Sequence, residues 1–98
     1  MMTISQPHCA DQLKVLANET RLAVMQQLMS GPMHVNQLNR TIRTDQSLLS
    51  HHLKILRDAG LVVAERDGKA VLYHVAPHVA TQSSQQAINL GCCTLDFS

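Results

Sequence analysis

Residues 45–75, DQSLLSHHLKILRDAGLVVAERDGKAVLYHV, decide the fold. In the first half, apolar residues recur at helical spacing. Leu49, Leu53 and Leu56, supported by Leu48 and Ile55, predict a helix over Gln46 to Ala59 that buries one side. Gln46, Ser47, Ser50, His51, Lys54 and Arg57 fall on the polar side, and Gly60 supplies a terminator. The second half changes period. Leu61 to Arg66 and Lys69 to Val75 are rich in β-branched residues and flank Asp67-Gly68, a pair suited to the positive φ angles of a type I′ turn, so a two-stranded hairpin is expected. A helix with one buried side and short polar or cationic side chains on the other has the composition needed to read base edges and phosphates. Arg66 and Lys69 flank the hairpin tip, where a protruding wing reaches phosphates or the minor groove.

Upstream, Val35, Leu38 and Ile42 mark a short helix. Arg43-Thr44-Asp45 is a connection tight enough for a helix-turn-helix, with Thr44 or Asp45 capping the helix that follows. Before it, Leu22, Met25, Leu28 and Met29 recur between a capping Asn18 and the stop signal Ser30-Gly31-Pro32. A first helix is expected at about Ala10 to Ala17, with Leu13, Leu16 and Ala17 on its apolar face, behind a flexible arm containing Pro7. Downstream, Pro77 opens a fifth helix expected to reach about Leu90 and to end at Gly91. The expected organisation is an arm (1–9), one domain (10–91) and a cysteine-containing tail (92–98). The fold class is mainly α (α+β): a winged helix-turn-helix in the order four helices, two strands, one helix.

Ninety-eight residues make one domain. At that size only about two-thirds of the unfolded surface is buried, so a partner subunit is expected to contribute stability. The apolar fraction of 45% includes only two aromatics, Tyr73 and Phe97, which suits packed helices. No apolar run reaches the roughly 20 residues of a membrane span and no leader pattern opens the chain, so a soluble, cytoplasmic protein without a membrane partner is expected. The net charge of +1 is uninformative, but six of the eight Lys and Arg residues lie between positions 40 and 69. Arg40, Arg43, Lys54, Arg57, Arg66 and Lys69 share that segment with Asp45, Asp58, Glu65 and Asp67, so a solvated charged face is an equal reading of charge alone. Three cysteines, Cys9, Cys92 and Cys93, cannot all pair within one chain, which points to thiol chemistry or metal binding. An enzyme is not expected: the chain has no C-x-x-C in a βαβ setting, no phosphate-cradling glycine loop and no evident base beside a nucleophile.

Three stretches carry a family resemblance: LANETRL at 16–22, SLLSHHLKILRDAGLV at 47–62, and the R-x-G-x-x-x-x-Y pattern from Arg66 to Tyr73. With them, residues 12–76 resemble the ArsR/SmtB (arsenic-repressor) family of bacterial winged-helix regulators. The resemblance implies a homodimer whose first and last helices form the interface. It also implies binding to an inverted-repeat, double-stranded operator, and release when an inducer is sensed. Two-fold symmetry then sets the two Gln46 to Arg57 helices in successive major grooves. Carried over by position, Gln46, Ser47, Ser50 and His51 lie nearest the bases, with Lys54, Arg66 and Lys69 near phosphates. His52 points toward the Leu49, Leu53 and Leu56 side, where packing or capping competes with DNA contact.

Many relatives of this kind hold arsenite or cadmium through a C-V-C-D segment. The corresponding residues here, Met33 to Leu38, contain no cysteine, so that site is absent. Others hold zinc, cobalt or nickel through Asp, His and Glu of the last helix, but Pro77 to Leu90 offers only His78. A zinc pair of His74 and His78 is disfavoured because Pro77 separates strand from helix. The remaining candidates are Cys9 and the Cys92-Cys93 pair, brought together at the dimer ends that the resemblance implies. Soft thiolates suit arsenite or antimonite, whose trivalent centre favours three sulfurs. Thiol oxidation or reactive sulfur, and a thiophilic metal such as cadmium, zinc, lead or mercury, are the alternatives. No obligatory cofactor is expected.

Overall fold

Two of the helices begin where a side chain supplies a partner for an unpaired backbone N–H. The computed structural model describes residues 7–80, 87–91 and 93–96. Helix α1 spans Pro7–Leu16 and α2 spans Glu19–Leu28. Asn18 caps α2, its side-chain oxygen accepting from the Arg21 N–H at 3.0 Å, as the sequence predicts. α1 starts three residues before the expected Ala10, so Pro7, His8 and Cys9 belong to a helix and not to the arm; positions 1–6 lie outside the described residues. Pro7 sits at the first helical position, where its missing N–H costs nothing.

A two-residue strand, β1 (Met33–His34), precedes α3 (Val35–Thr41). It was not expected, because two residues carry no period. Residues 42–45 then turn the chain into α4 (Gln46–Asp58). Asn39 fixes that turn, its amide donating to the Thr44 carbonyl at 2.8 Å and the Ile42 carbonyl at 3.4 Å. Of the two candidate caps, Asp45 is the one used, accepting from the Ser47 N–H at 3.0 Å. At the other end Gly60 adopts φ +77°, and the Leu61 and Gly60 N–H groups donate back to Leu56 and Arg57 carbonyls at 3.0 and 2.9 Å. This is a Schellman closure, which needs the left-handed residue at that point.

The wing is β2 (Val62–Asp67) paired antiparallel with β3 (Ala70–Val75), from Val62↔Val75 to Asp67↔Ala70, and β1 adds to the other side of β3. The hairpin stands where predicted, but its turn is shifted by one residue. Gly68-Lys69 is the central pair; Gly68 has φ +63°, and no residue other than glycine has positive φ among the described residues. That combination fits a type II′ turn, with glycine first, and not the expected type I′ with Asp67-Gly68 at its centre.

The end of the chain departs most from expectation. α5 is described only over Pro77–Ala80; residues 81–86 lie outside the description, and Ala87–Asn89 form a strand, β4, paired with β5 (Thr94–Asp96). The fifth helix therefore does not run to Leu90, and Gly91 lies in the connection between these strands instead of ending a helix. The residues that decide this are Ile88 and Leu90, both buried. Positions two apart share a face in a strand and diverge by about 200° in a helix, so only an extended segment turns both inward.

The core gathers Leu16, Val24, Met25, Leu28, Leu38, Leu49, Leu53, Leu56, Leu61, Val62, Val75, Val79 and Ile88. Each fully buried leucine stabilises the fold by about 1.5–3 kcal/mol. Leu49, Leu53 and Leu56 are completely buried, as expected, but Leu48 is 46% exposed. It lies about 100° around the helix from Leu49, at the edge of the buried arc. Leu13, expected on the apolar face of the first helix, is also exposed. It lines a shallow groove with Leu16, Ala17, Leu22, Leu95 and Asp96. No described helix is long and apolar enough to cross a membrane.

Candidate nucleic-acid interface and thiol cluster

The α4 face opposite Leu49, Leu53 and Leu56 presents Gln46, Ser47, Ser50, His51 and Lys54, all exposed. They form one polar arc because a 3.6-residue repeat places positions 47, 50, 51 and 54 together. Arg66 at the end of β2 and Lys69 in the turn are exposed too. All seven candidate DNA-facing residues are therefore solvent-accessible, five on α4 and two on the wing. The fixed backbone beneath them spares much of the ordering cost of binding.

The wing tip is braced to the helix-turn-helix. His34 Nε2 donates to Asp67 Oδ2 at 3.0 Å, while the His34 backbone N–H donates to the Gln37 side chain at 2.8 Å. Further along the wing, His74 Nε2 lies 3.4 Å from Glu65 Oε2. His74 and His78 do not share a helical face, since His74 ends in β3 and His78 lies in α5.

His52 is buried at 7% exposure, on the core side of α4. Its Nδ1 stands 3.1 Å from Arg21 Nη1. A guanidinium is only a donor, so Nδ1 accepts and the ring is neutral, with its proton on Nε2. Burial, the Arg21 guanidinium and His51 all hold the His52 pKa below the ordinary 6.5. Arg21 also donates through Nε to the Val15 carbonyl at 2.5 Å, and the Gln12 amide donates to the Ala59 carbonyl, the C-cap of α4, at 3.1 Å. Sequence reasoning missed the contacts of Arg21 and Gln12 with α4: Arg21 stands inside the LANETRL segment, but its partner lies 31 residues away.

Two of the three thiol candidates meet where α1 passes the β4–β5 hairpin. Cys9 Sγ lies 3.7 Å from Cys93 Sγ, across 84 positions of sequence. The separation exceeds the roughly 2.05 Å of a disulfide, so this is a contact and not a bond. Cys93 is a half-buried free thiol, whereas Cys9 is disulfide-bonded. Cys92, the third candidate, lies outside the described residues. Among the described residues no group of three His, Cys, Asp or Glu is arranged to hold a metal ion.

Residues 18–63, which contain α2, the helix-turn-helix and the start of the wing, match the family model for bacterial regulatory proteins of the arsR family. The HTH-type transcriptional regulator NmtR of Mycobacterium tuberculosis is 38% identical over 79 residues, 81% of this chain and 66% of that protein. The arsenical resistance operon repressor of Escherichia coli is 37% identical over 67 residues, 67% of this chain and 57% of that protein. The chain thus spans about half to two-thirds of the length of these curated relatives. Among solved structures, HlyU from Vibrio cholerae superposes with a TM-score of 0.74 at 30% identity, covering 83% of this chain and 89% of that one. The homodimeric winged helix-turn-helix DNA-binding domain of Mb0332 from Mycobacterium bovis gives a TM-score of 0.66 at 28% identity, covering 84% and 82%. With its helix-turn-helix, wing and matched segment in agreement, the chain belongs to the arsR family of bacterial regulatory proteins.

Proposed function

We propose that the protein is a transcriptional repressor that binds an inverted-repeat operator as a homodimer and releases it when arsenite or antimonite is captured by cysteine thiolates. The observation that carries the sensing half is the sulfur contact between Cys9 and Cys93, which joins α1 to the hairpin at the chain end. In the reduced protein these two sulfurs and the adjacent Cys92 supply the three soft donors a trivalent metalloid favours. Capture exchanges the three hydroxyl groups of arsenous acid for three cysteine sulfurs, the three thiol protons leave with the hydroxyls as three waters, and no oxidation state changes. The E. coli arsenical resistance operon repressor supports this choice of inducer.

The DNA half rests on the exposed arc of α4. Gln46, Ser47, Ser50 and His51 face base edges, while Lys54, Arg66 and Lys69 neutralise phosphates. The exposed Leu13 and the apolar groove beside it support a subunit interface at α1, and the homodimeric Mb0332 domain supports the two-fold assembly. The protein acts by binding and release and not by catalysis.

A second reading has its own observation. Cys9 is disulfide-bonded, which favours a sensor in which two thiols lose two electrons and two protons to a peroxide or similar oxidant. The two readings differ in what the reduced protein does with arsenite alone. Fluorescence anisotropy with DNA from upstream of its own gene should show selective binding that weakens steeply with salt, and arsenite should bind the reduced protein at one equivalent per site. Equal affinity for scrambled DNA overturns the repressor. Arsenite that fails to bind, together with operator release by peroxide, replaces the metalloid sensor with the redox one.

A further inference from the structure

The thiol cluster and the polar arc of α4 lie on different elements, and three side chains join those elements directly. α1 carries Cys9 in its first turn, Gln12 in its middle and Val15 near its end. Gln12 reaches the C-cap of α4 at the Ala59 carbonyl, 3.1 Å away. Arg21, on α2, grips the Val15 carbonyl of α1 with Nε and His52 of α4 with Nη1. Asn18 holds the Arg21 backbone N–H, so the residue making the bridge is anchored at a helix cap. The path from α1 to α4 therefore touches α4 at its buried centre and at its C-terminal end. Two attachment points tie both the tilt and the axial position of α4 to α1.

We propose that Arg21, His52 and Gln12 are positioning residues that tie α4 to α1, making α1 the lever by which the thiol end sets the pose of the DNA-facing helix. The inference rests on the reading of α4 as the recognition helix. Its physical basis is that a hydrogen bond from a guanidinium is strong and directional, and that breaking it leaves the ring nitrogen of buried His52 unpartnered. Arg21 serves two helices with one rigid fork, so a shift of Val15 draws the guanidinium away from His52 or carries α4 with it.

The test is amide hydrogen exchange across residues 46–58 in the full chain, reduced and oxidised, with operator affinity measured in parallel. In the reduced state, Arg21→Met and His52→Leu should raise α4 exchange by about tenfold, because each removes a charge-assisted bond. His52→Asn keeps an acceptor near the Nδ1 position, so its exchange should stay within about twofold of wild type. Oxidation should alter α4 exchange in the wild type and should alter it less in Gln12→Met and Arg21→Met. If the variant at buried His52 does not fold, Arg21→Met and Gln12→Met carry the test, since both residues are only half-buried. Unchanged exchange in Arg21→Met and His52→Leu, or His52→Asn behaving as His52→Leu, overturns the positioning role. An α4 that ignores thiol state in the wild type overturns the lever. Expected exchange without selective DNA binding leaves the lever standing and removes the repressor reading, so the two failures are distinguishable.

Discussion

The α4-wing half and the thiol end of this molecule are built by opposite means. In the first, local sequence does nearly everything: Asp45 starts α4, Gly60 stops it, leucines bury one side and a two-residue turn closes the wing. In the second, Cys9 and Cys93 acquire meaning only because the fold brings together positions 84 residues apart. A surface that must present a fixed shape to DNA is reliably specified by contiguous sequence. The proposed function makes the thiol end a switch, and a contact made by tertiary packing alone is lost when that packing shifts.

Substitutions should separate the two halves. The largest effect belongs beneath the polar arc: Leu53→Ala, at a fully buried position, should cost about 2–5 kcal/mol in urea unfolding and take operator binding down with it. Cys93→Ser, at a half-buried position, should leave both unfolding and operator binding close to wild type. A large loss of DNA affinity in Cys93→Ser would erase the distinction. Next, Arg66→Ala with Lys69→Ala should weaken binding to all sequences by about tenfold and lower the steepness of the salt dependence by about one per cation. A change confined to one base position would instead make the wing a reader of sequence. Asp45→Ala should cost about 1 kcal/mol, the usual value of a helix cap, with a proportionate loss of α4 order by circular dichroism.

The smallest effect is a pH dependence. In the folded chain the His52 pKa lies below 6.5, so the unfolded chain takes up the proton first as pH falls. The contribution is complete above about pH 6.5 and is lost progressively below it, down to the lowered folded value. Urea midpoints measured across that window should fall in the wild type and fall less in His52→Asn. An identical fall in both would assign the pH dependence to other groups.

Where sequence reading succeeded and failed follows the same division. α4, the caps at Asn18 and Asp45, and the hairpin rest on signals within a few residues, and each is where it was expected. The turn slipped by one residue because Asp67-Gly68 and Gly68-Lys69 are both acceptable two-residue loops, and only the strand register chooses between them. β1 escaped because Met33 and His34 are extended by pairing with Tyr73 and Leu72, not by any pattern of their own. The sequence predicts too long a last helix because Pro77 and Gly91 frame the segment as helix punctuation, while the alternation at Ile88 and Leu90 is too short to register as a strand. The exposure of Gln46, Ser47, Ser50, His51 and Lys54 is legible because polarity marks a helix face. The tie of His52 to Arg21 was not, because nothing at either position reports a partner 31 residues away.

The central claim is that thiol chemistry at one end of the fold makes α4 release DNA. Its most direct test is arsenite titration of the reduced protein bound to fluorescent operator, with wild type and Cys93→Ser side by side. Stoichiometric release from the wild type and retention by Cys93→Ser is the predicted result. Equal release from both proteins, or wild-type binding indifferent to arsenite, would contradict it.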